Sequence, residues 1–395
     1  MTELAQRAAV VVGGGPAGLA AAIGLRAAGV GSVTVVERER EAGGIPRHTD
    51  HLGFGVRDLH RLLRGPAYAR RLVAMATVAG ADVRTSTTAV DIGGDGVVLA
   101  DGTALAADAV IVATGVRERP RAARLVPGDR PAGVFTTGAI QQLTALQHRQ
   151  LGERAVIVGA EHVSFSAIWT LRHGGCTPVA MVTSLPRHQT YLPLRLASAT
   201  RHGVPIHTDV DIAEITGHGR VREVLLTDGR RIRCDTVVFT GDWIPDHELA
   251  RRAGVVMVPP SRSPLVDHRF RTSLPGVFAV GNLAHPAETA DVCALGGRSA
   301  AASVVAWWSD ADRGAAWGEP APITVEPPIV WAAPTAGGLT MRVDHPRTGR
   351  IEVRDGGRVI ARTRRRSLVP NRAIHVAIAA PAPTQQRLLS VSVTR

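Results

Sequence analysis

The chain has 395 residues, 45% of them apolar, and a net charge of +12 carried by arginine alone, because it contains no lysine. That length accommodates two or three domains with sizeable cores; the scattered arginines, with one dense run at Arg362 to Arg366, read as solvated basic faces rather than a nucleic-acid surface, which needs a stripe plus base-reading groups. Three widely separated cysteines (Cys176, Cys234, Cys293) form no C-x-x-C and are expected to be small buried hydrophobes, not metal ligands, and the lack of a leader-like start or of an apolar run of about 18 residues points to a soluble, cytoplasmic protein with no membrane contact.

The first predicted strand, Val10 to Val12, enters a glycine turn at Gly13 to Gly18. A helix of small residues follows, Ala17 to Ala28, stopped by Gly29. A second strand, Val33 to Val36, ends at Glu37. This is a β-α-β unit. Gly13, Gly15 and Gly18 spell G-x-G-x-x-G. They serve in turn a tight turn, the close backbone approach to a diphosphate, and the close packing of helix on strand. The helix N-terminus adds free N–H groups and a positive dipole end. Glu37 lies about 20 residues past the last glycine, where an acid binds ribose hydroxyls. The motif alone is weak; with strand, helix and strand-end acid it reads as a dinucleotide cradle.

Further along, Leu59 to Ala79 is predicted helical, with Pro66 able to open a new helix. Val83 to Ile92 and Val97 to Leu99 are predicted strands with a turn at "ADGT". The strand Ala109 to Ala113 ends at Thr114 and Gly115. The Pro- and Arg-rich stretch from Glu118 reads as a crossover. A second strand–helix–strand unit follows: Ala155 to Val158, Val163 to His173, Val179 to Val182. Val210 to Thr216 and Val221 to Thr227 are expected to pair as a hairpin, and Val237 to Thr240 closes the unit. From Trp243 the chain is expected to return to the first domain, ending in strand Val277 to Val280 and helix Ala290 to Trp308.

The expected fold class is α/β. An FAD-type Rossmann-like domain (residues 1–119 and 243–317) carries an inserted Rossmann-like domain (120–242). A Pro/Ala-rich linker (318–338) and a small β-rich appendage (339–395) with alternating apolar and polar residues complete the chain.

In the second loop Gly159 keeps the first glycine position, but Glu161 replaces the second and Ser164 the third. A side chain at the second position collides with a diphosphate, and a glutamate adds like charge. The expectation is that this cradle does not take NAD(P)H.

"VIVATGVRERP" and "LPGVFAVGNLAHPAETADVCALGGRSAA" resemble the corresponding segments of two-dinucleotide-domain flavoproteins of the thioredoxin-reductase-like group, over about Ala8 to Trp308. The resemblance implies FAD in the first cradle, with the A-T-G strand closing over the nucleotide domain and a Gly–Asp pair holding the ribityl chain. Here that pair is Gly281–Asn282, which keeps an acceptor oxygen and loses the charge. The implied FAD-binding set is Gly13, Gly15, Pro16, Ala17, Gly18, Glu37, Arg38, Gly44, Ile45, Val90, Ala113, Thr114, Gly115, Gly281, Asn282, Thr289 and Ala290. No metal ligands are expected.

"GGIPRHTDHLGFG", "LLRGPAYARRL", "VGAEHVSFSAIWTLRHGG", "FTGDWIPDHELARRAGV" and "GNLAHPAETADVCALGGR" also resemble the α-type flavoprotein subunits of amine and amino-acid dehydrogenases, such as those of opine oxidase, hydrogen-cyanide synthase, proline dehydrogenase and sarcosine oxidase. That resemblance implies a small-molecule amine or amino-acid substrate, oxidised at a C–N bond by hydride transfer to flavin. It also implies a second flavoprotein or electron-carrier partner. The segment starting at Gly43 is expected to lie over the flavin. Arg47, His48 and His51 are its candidate catalytic side chains: arginine to hold a carboxylate or the charge of reduced flavin, histidine to take a proton. Solvent-facing loop residues are the plainer reading. His285, Glu288 and Asp291 lie at a predicted helix start, where acids also serve as caps and dipole partners. Two alternatives stay open: an NAD(P)H-dependent flavoprotein reductase, and an FAD-binding assembly or electron-transfer subunit of a larger dehydrogenase.

Overall fold

The computed structural model describes residues 3–93, 95–309, 317, 320–379 and 388–394. Residues 318 and 319 of the expected linker and 380–387 and 395 of the expected β appendage lie outside them, as do 1–2, 94 and 310–316. The chain forms two compact units. One comprises Met1–Arg47, Leu52–Val116 and Pro245–Arg395, the other His48–His51 and Arg117–Ile244.

The first unit is built on five parallel strands in the order Val277–Ala279, Ala109–Val112, Ala8–Val12, Ser32–Val36, Asp82–Arg84. Its strands read as unbroken apolar runs because both faces are covered. Successive side chains alternate between faces. Ala9 and Val11 join the core under the helices, while Val10 and Val12 pack on the other face with Ile92, Val97 and Leu99. Those three belong to an antiparallel meander, Ala89–Gly93, Gly96–Leu99 and Ala104–Ala106.

Two predicted elements come out differently. The single strand expected over Val83 to Ile92 is split between the parallel sheet and the meander. The break falls at Ser86, whose φ of 51° is incompatible with a strand. Backbone bonds from Ser86 and Thr87 to the carbonyls of Glu39 and Glu37 hold the bend (2.7 and 2.9 Å). The helix expected from Leu59 begins only at Gly65 and runs to Val78, with Pro66 in its first turn. The residues before it are spent on a short ribbon, Leu52–Phe54 with Leu63–Arg64.

Helix Pro16–Ala27, which follows the first glycine turn, crosses the long helix Ala290–Trp308 at very close range. A Cβ on Gly297 would stand 2.0 Å from the Ala17 carbonyl oxygen, and one on Gly24 would stand 2.8 Å from the Ala301 methyl.

The second unit repeats the plan with Val134–Thr136, Thr236–Phe239, Arg154–Val158, Thr177–Val182 and Ile206–His207, all parallel. Ala155 and Ile157 face helices, including His162–His173, and Val156 and Val158 face the opposite core. Strands Ile212–Thr216 and Glu223–Leu226 pair antiparallel, with Arg231–Arg233 as a third strand.

The C-terminal part of the first unit is two small sheets around one core of Ile329, Leu339, Met341, Ile351, Val353 and their neighbours. Strands Thr324–Val325 and Ile329–Thr335 occupy much of the stretch expected as linker. Pro327, Pro328 and Pro334 suggested a linker there, yet Ile329, Trp331 and Ala332 are buried and Ile329–Thr335 pairs with Gly338–Val343. Among the described residues, no helix is long and apolar enough to cross a membrane.

The helix crossing makes a paired prediction. Gly297→Ala drives a methyl into backbone and should destabilise by about 1–3 kcal/mol, the usual cost of overpacking. Gly296→Ala meets only a Val280 methyl at 3.4 Å and should be neutral or stabilising by up to about 1 kcal/mol. Urea midpoints of the two variants check this; equal midpoints would disprove the tight crossing.

Candidate functional site

The first cradle is shaped by its glycines for two different reasons. Gly13 has φ +112°, and a Cβ there would lie 2.4 Å from the Ala113 carbonyl oxygen; a Cβ on Gly18 would lie 1.9 Å from the Gly13 oxygen. These two are required by the protein's own backbone. Gly15 is not: it has φ −81° at the start of helix Pro16–Ala27, and the nearest atom to a Cβ there is Gly44 Cα at 3.9 Å. A methyl at position 15 would point into open space at a helix N-terminus. That is what a site for an approaching diphosphate requires.

Glu37 is buried, and its carboxylate accepts the Gly14 N–H at 2.8 Å and the Glu39 N–H at 2.9 Å. Those bonds fix it at the strand end with lone pairs to spare for a ribose. Gly44 takes φ +62° and packs its Cα against Gly15. Ile45, which follows, is 52% exposed. Thr114 donates to the Asp246 carbonyl at 2.7 Å, Gly115 accepts the Asp246 N–H at 2.9 Å, and Arg38 pairs with the Asp246 carboxylate at 3.0 Å. Asp246 is thus the brace of this corner. It lies 132 residues from Thr114, and no local pattern marks it.

Gly281 has φ +69°, and a Cβ there would lie 2.7 Å from the Ala17 methyl. Asn282 folds back on Glu288: its Nδ2 donates to the Glu288 carbonyl at 3.1 Å and its Oδ1 accepts the Glu288 N–H at 2.6 Å. Its amide therefore closes the loop leading to Thr289 and Ala290, the cap and first residue of the long helix. Val90 sits in the meander, where the register between Ala89 and Asp91 is irregular. The structure thus gathers Gly13, Gly15, Pro16, Ala17, Gly18, Glu37, Gly44, Ala113, Thr114, Gly115 and Gly281 around one helix N-terminus, and leaves Val90 on the meander.

These residues fit an FAD: residues 13–18 would hold the diphosphate, Glu37 would accept from a ribose hydroxyl, and residues 281–290 would line the flavin side. When bound, the flavin supplies the hydride and single-electron chemistry. The chain's own residues place it and fix the dipoles around it.

Arg47 belongs to the first unit and turns back on its own loop, donating to the Glu41 carbonyl at 2.5 Å with Glu39 at 3.6 Å. His48 and His51 belong to the second unit. His48 is 4% exposed, and the His51 ring lies 5.3 Å from that of Trp169. Between them Thr49 donates to Gln141 at 3.2 Å.

His285, Glu288 and Asp291 are all engaged. Burial pushes His285 down to about 4, so it is neutral at neutral pH. Its Nε2 donates to the Pro334 carbonyl at 2.7 Å. Glu288 accepts from Thr340 (3.0 Å) and Arg342 (3.2 Å), tying this loop to the C-terminal sheets. Asp291 accepts the N–H groups of Gly55 and Arg57, each at 2.9 Å. It holds a loop rather than capping its helix, whose cap is Thr289.

The second cradle has the same frame and different contents. Gly159 has φ +135°, and helix His162–His173 starts just beyond it. Glu161 is 5% exposed, and burial raises the pKa of its carboxyl. Ser164 Oγ and Thr240 Oγ1 are 2.7 Å apart. Arg124 donates to the carbonyls of Thr240 (2.9 Å) and Gly241 (2.8 Å). Glu118 accepts the Gly138 N–H at 2.7 Å and is pushed up to about 7 by burial, with the Glu161 charge adding to the shift. Glu118, Arg124 and Thr240 are not legible as site residues in the sequence, because nothing in the crossover or at a strand end marks a residue as facing inward.

A family model described as pyridine nucleotide-disulphide oxidoreductase matches residues 7–302. The chain is 28% identical over 286 residues to a benzene 1,2-dioxygenase system ferredoxin–NAD(+) reductase subunit of Pseudomonas putida, covering 69% of this chain and 66% of that protein. It is 34% identical over 190 residues to a biphenyl dioxygenase system ferredoxin–NAD(+) reductase component of Paraburkholderia xenovorans, covering 46% and 45%. The chain thus spans between about half and two thirds of the length of these relatives. Its fold is similar to that of T. acidophilum thioredoxin reductase, with a TM-score of 0.62 at 22% identity, covering 76% of this chain and 98% of that one.

These findings keep the two-cradle flavoprotein reading and overturn four narrower expectations. The likeness to amine and amino-acid dehydrogenase subunits, C–N bond oxidation, and the amine or amino-acid substrate give way to relatives named as ferredoxin–NAD(+) reductases. The exclusion of NAD(P)H falls for the same reason. The physical cause is that the matched segments are mostly turns and helix crossings, which encode packing and cofactor placement, not substrate.

Each cradle yields a prediction. Gly15→Glu should leave the urea midpoint of the flavin-free protein nearly unchanged, because a side chain there starts into open space, while purified protein loses its yellow colour and with it the stability that bound flavin adds; a fully flavin-loaded variant would refute the assignment of the loop. For Glu118, the folded carboxyl keeps a proton between its ordinary 4.5 and about 7, where the unfolded one has lost it. Stability therefore falls as pH rises through that window, by about 3 kcal/mol at most. Glu118→Gln should flatten this slope, read as the difference in urea midpoint between pH 5 and pH 8.

Proposed function

Because the chain belongs to the pyridine nucleotide-disulphide oxidoreductase family, we propose that it is an FAD-dependent reductase that takes electrons from NADH or NADPH and delivers them to a small electron-carrier protein such as a ferredoxin. The observation that carries this reading is the family match across both units, joined to relatives named as ferredoxin–NAD(+) reductases. The open, glycine-lined first loop supports the FAD.

The cysteines favour a carrier protein over an internal dithiol as the electron outlet. Cys176, Cys234 and Cys293 are all buried and free. Burial pushes Cys176 up to about 11 and Cys234 up to about 12, and raises Cys293 further. None is a thiolate at neutral pH, and a thiol in that state is a poor partner for disulphide exchange.

The decisive experiment is anaerobic. NADH or NADPH should bleach the bound flavin stoichiometrically, and added ferredoxin should restore the colour as it is reduced. An amino-acid panel should leave the flavin oxidised. Failure of both nucleotides to bleach it would reject this function.

A further inference from the structure

The carboxylate of Glu161 lies across the end of the second unit's sheet, in the place the fold reserves for a ligand. A Cβ on Gly159 would be 2.7 Å from Glu161 Oε2, and one on Gly241 would be 2.8 Å from Oε1. Gly159 is the first glycine of the second loop and matches Gly13 of the first. The carboxylate thus lies between two glycines that the backbone already requires, with φ of 135° at Gly159 and 60° at Gly241, and Thr240 Oγ1 stands closer still to Gly159, 1.9 Å from where a Cβ would be. In the first loop the position equivalent to Glu161 is Gly15, and its surroundings are open.

Three further observations show that this carboxylate is not simply a structural cap. Glu161 is the residue before helix His162–His173, yet its side chain makes no capping bond to that helix. The residue is only 5% exposed. Its Oε1 has no hydrogen-bond partner among the described residues. A buried carboxylate oxygen left without a donor costs free energy that a well-packed apolar side chain would not. Burial disfavours the anion, hydrogen bonds from the Thr240 and Ser164 side chains and the charge of Arg124 favour it, and Glu118 opposes it.

Taken with the proposed use of NAD(P)H, on which this rests, we infer that Glu161 sets the affinity of the second cradle: its carboxylate occupies the space of a dinucleotide diphosphate, and a pyridine nucleotide binds only by displacing it. The chemistry is matched. A carboxylate and a phosphate are both oxyanions that seek a helix N-terminus, so one excludes the other by volume and by charge. Arg124, which holds the Thr240 and Gly241 carbonyls, remains beside the loop once Glu161 swings away. The consequence is a nucleotide site whose affinity for any dinucleotide is lowered by the cost of moving Glu161.

The experiment measures binding separately from turnover. FAD-loaded wild-type protein, Glu161→Gly and Glu161→Gln are titrated calorimetrically with ADP-ribose, which carries the diphosphate without the nicotinamide, and KM and kcat for NADH are measured in parallel. Glu161→Gly should bind ADP-ribose at least about tenfold tighter, the order of effect expected when an opposing element is removed. KM for NADH should fall by a similar factor without a matching rise in kcat. Glu161→Gln, which keeps the bulk and loses the charge, should fall between the two. Flavin content and urea midpoint verify that each variant is folded. ADP-ribose binding no tighter in Glu161→Gly than in wild type overturns the inference, as does a dinucleotide complex with Glu161 still between Gly159 and Gly241. If no pyridine nucleotide reduces the flavin in any variant, the proposed reductase function fails, while the ADP-ribose titration still decides the role of Glu161.

Discussion

The crossing of helices Pro16–Ala27 and Ala290–Trp308 is the contact on which the first unit's chemistry depends. At Gly24, Gly297 and Gly281 no side chain fits, because backbone or methyl groups of the partner segment stand within 3 Å of where a Cβ would be. Backbones packed at that distance have one arrangement, not several. The nucleotide loop at the start of one helix and residues 281–290 at the start of the other are therefore placed side by side. The C-terminal sheets are fastened to the same loop by Glu288 with Arg342 and Thr340, and by His285 with Pro334. The Glu288–Arg342 pair is nearly solvent-free (5% and 8% exposed side chains), so breaking it would strand a buried charge.

The two cradles separate what a Rossmann frame needs from what its ligand needs. Gly13 and Gly159 both keep positive φ, because the strand-to-helix turn demands it in each. The third glycine is a packing residue in the first loop, where Gly18 lies against the Gly13 oxygen. In the second loop Ser164 fills that role, with its hydroxyl beside that of Thr240. Only the middle glycine answers to the ligand. Gly15 meets nothing of the protein within close range, and the equivalent Glu161 brings its own anion. A loop can thus lose two of its three glycines and keep its fold entirely, since the strands and helix around it are held by their apolar cores.

The same distinction explains why the substrate expectation failed while the fold expectation held. The segments that suggested an amine dehydrogenase include residues 43–55 and residues 281–298. In the structure these are occupied with internal bonding: Asp291 holds the Gly55 and Arg57 N–H groups, and Asn282 holds Glu288. Residues so engaged serve the frame, and a frame does not name what its enzyme reduces or oxidises. In the sequence, Glu161 points to a lost ligand. The proposed use of a pyridine nucleotide turns that into a matter of displacement, since a side chain, unlike a backbone, can move.

The sequence by itself determined the elements whose signal is local: the glycine turn with its strand and helix, the acid at the strand end, the repeat of that unit near Ala155, and the alternating strands after Leu339. Each rests on periodicity or on backbone geometry within a few residues. Tertiary structure decided what depends on distant partners. It broke the strand at Ser86, delayed a helix to Gly65, and made strands of a proline-rich stretch by giving Ile329 and Ala332 a core to enter. It also used Asp246 to brace Thr114, turned Arg47 onto Glu39 and Glu41, and set Glu118, Glu161 and Arg124 around one loop. Charges and carbonyls brought together from far apart in the chain leave no periodic trace in a sequence, because their pairing is fixed by the packing of whole sheets rather than by their neighbours in the chain.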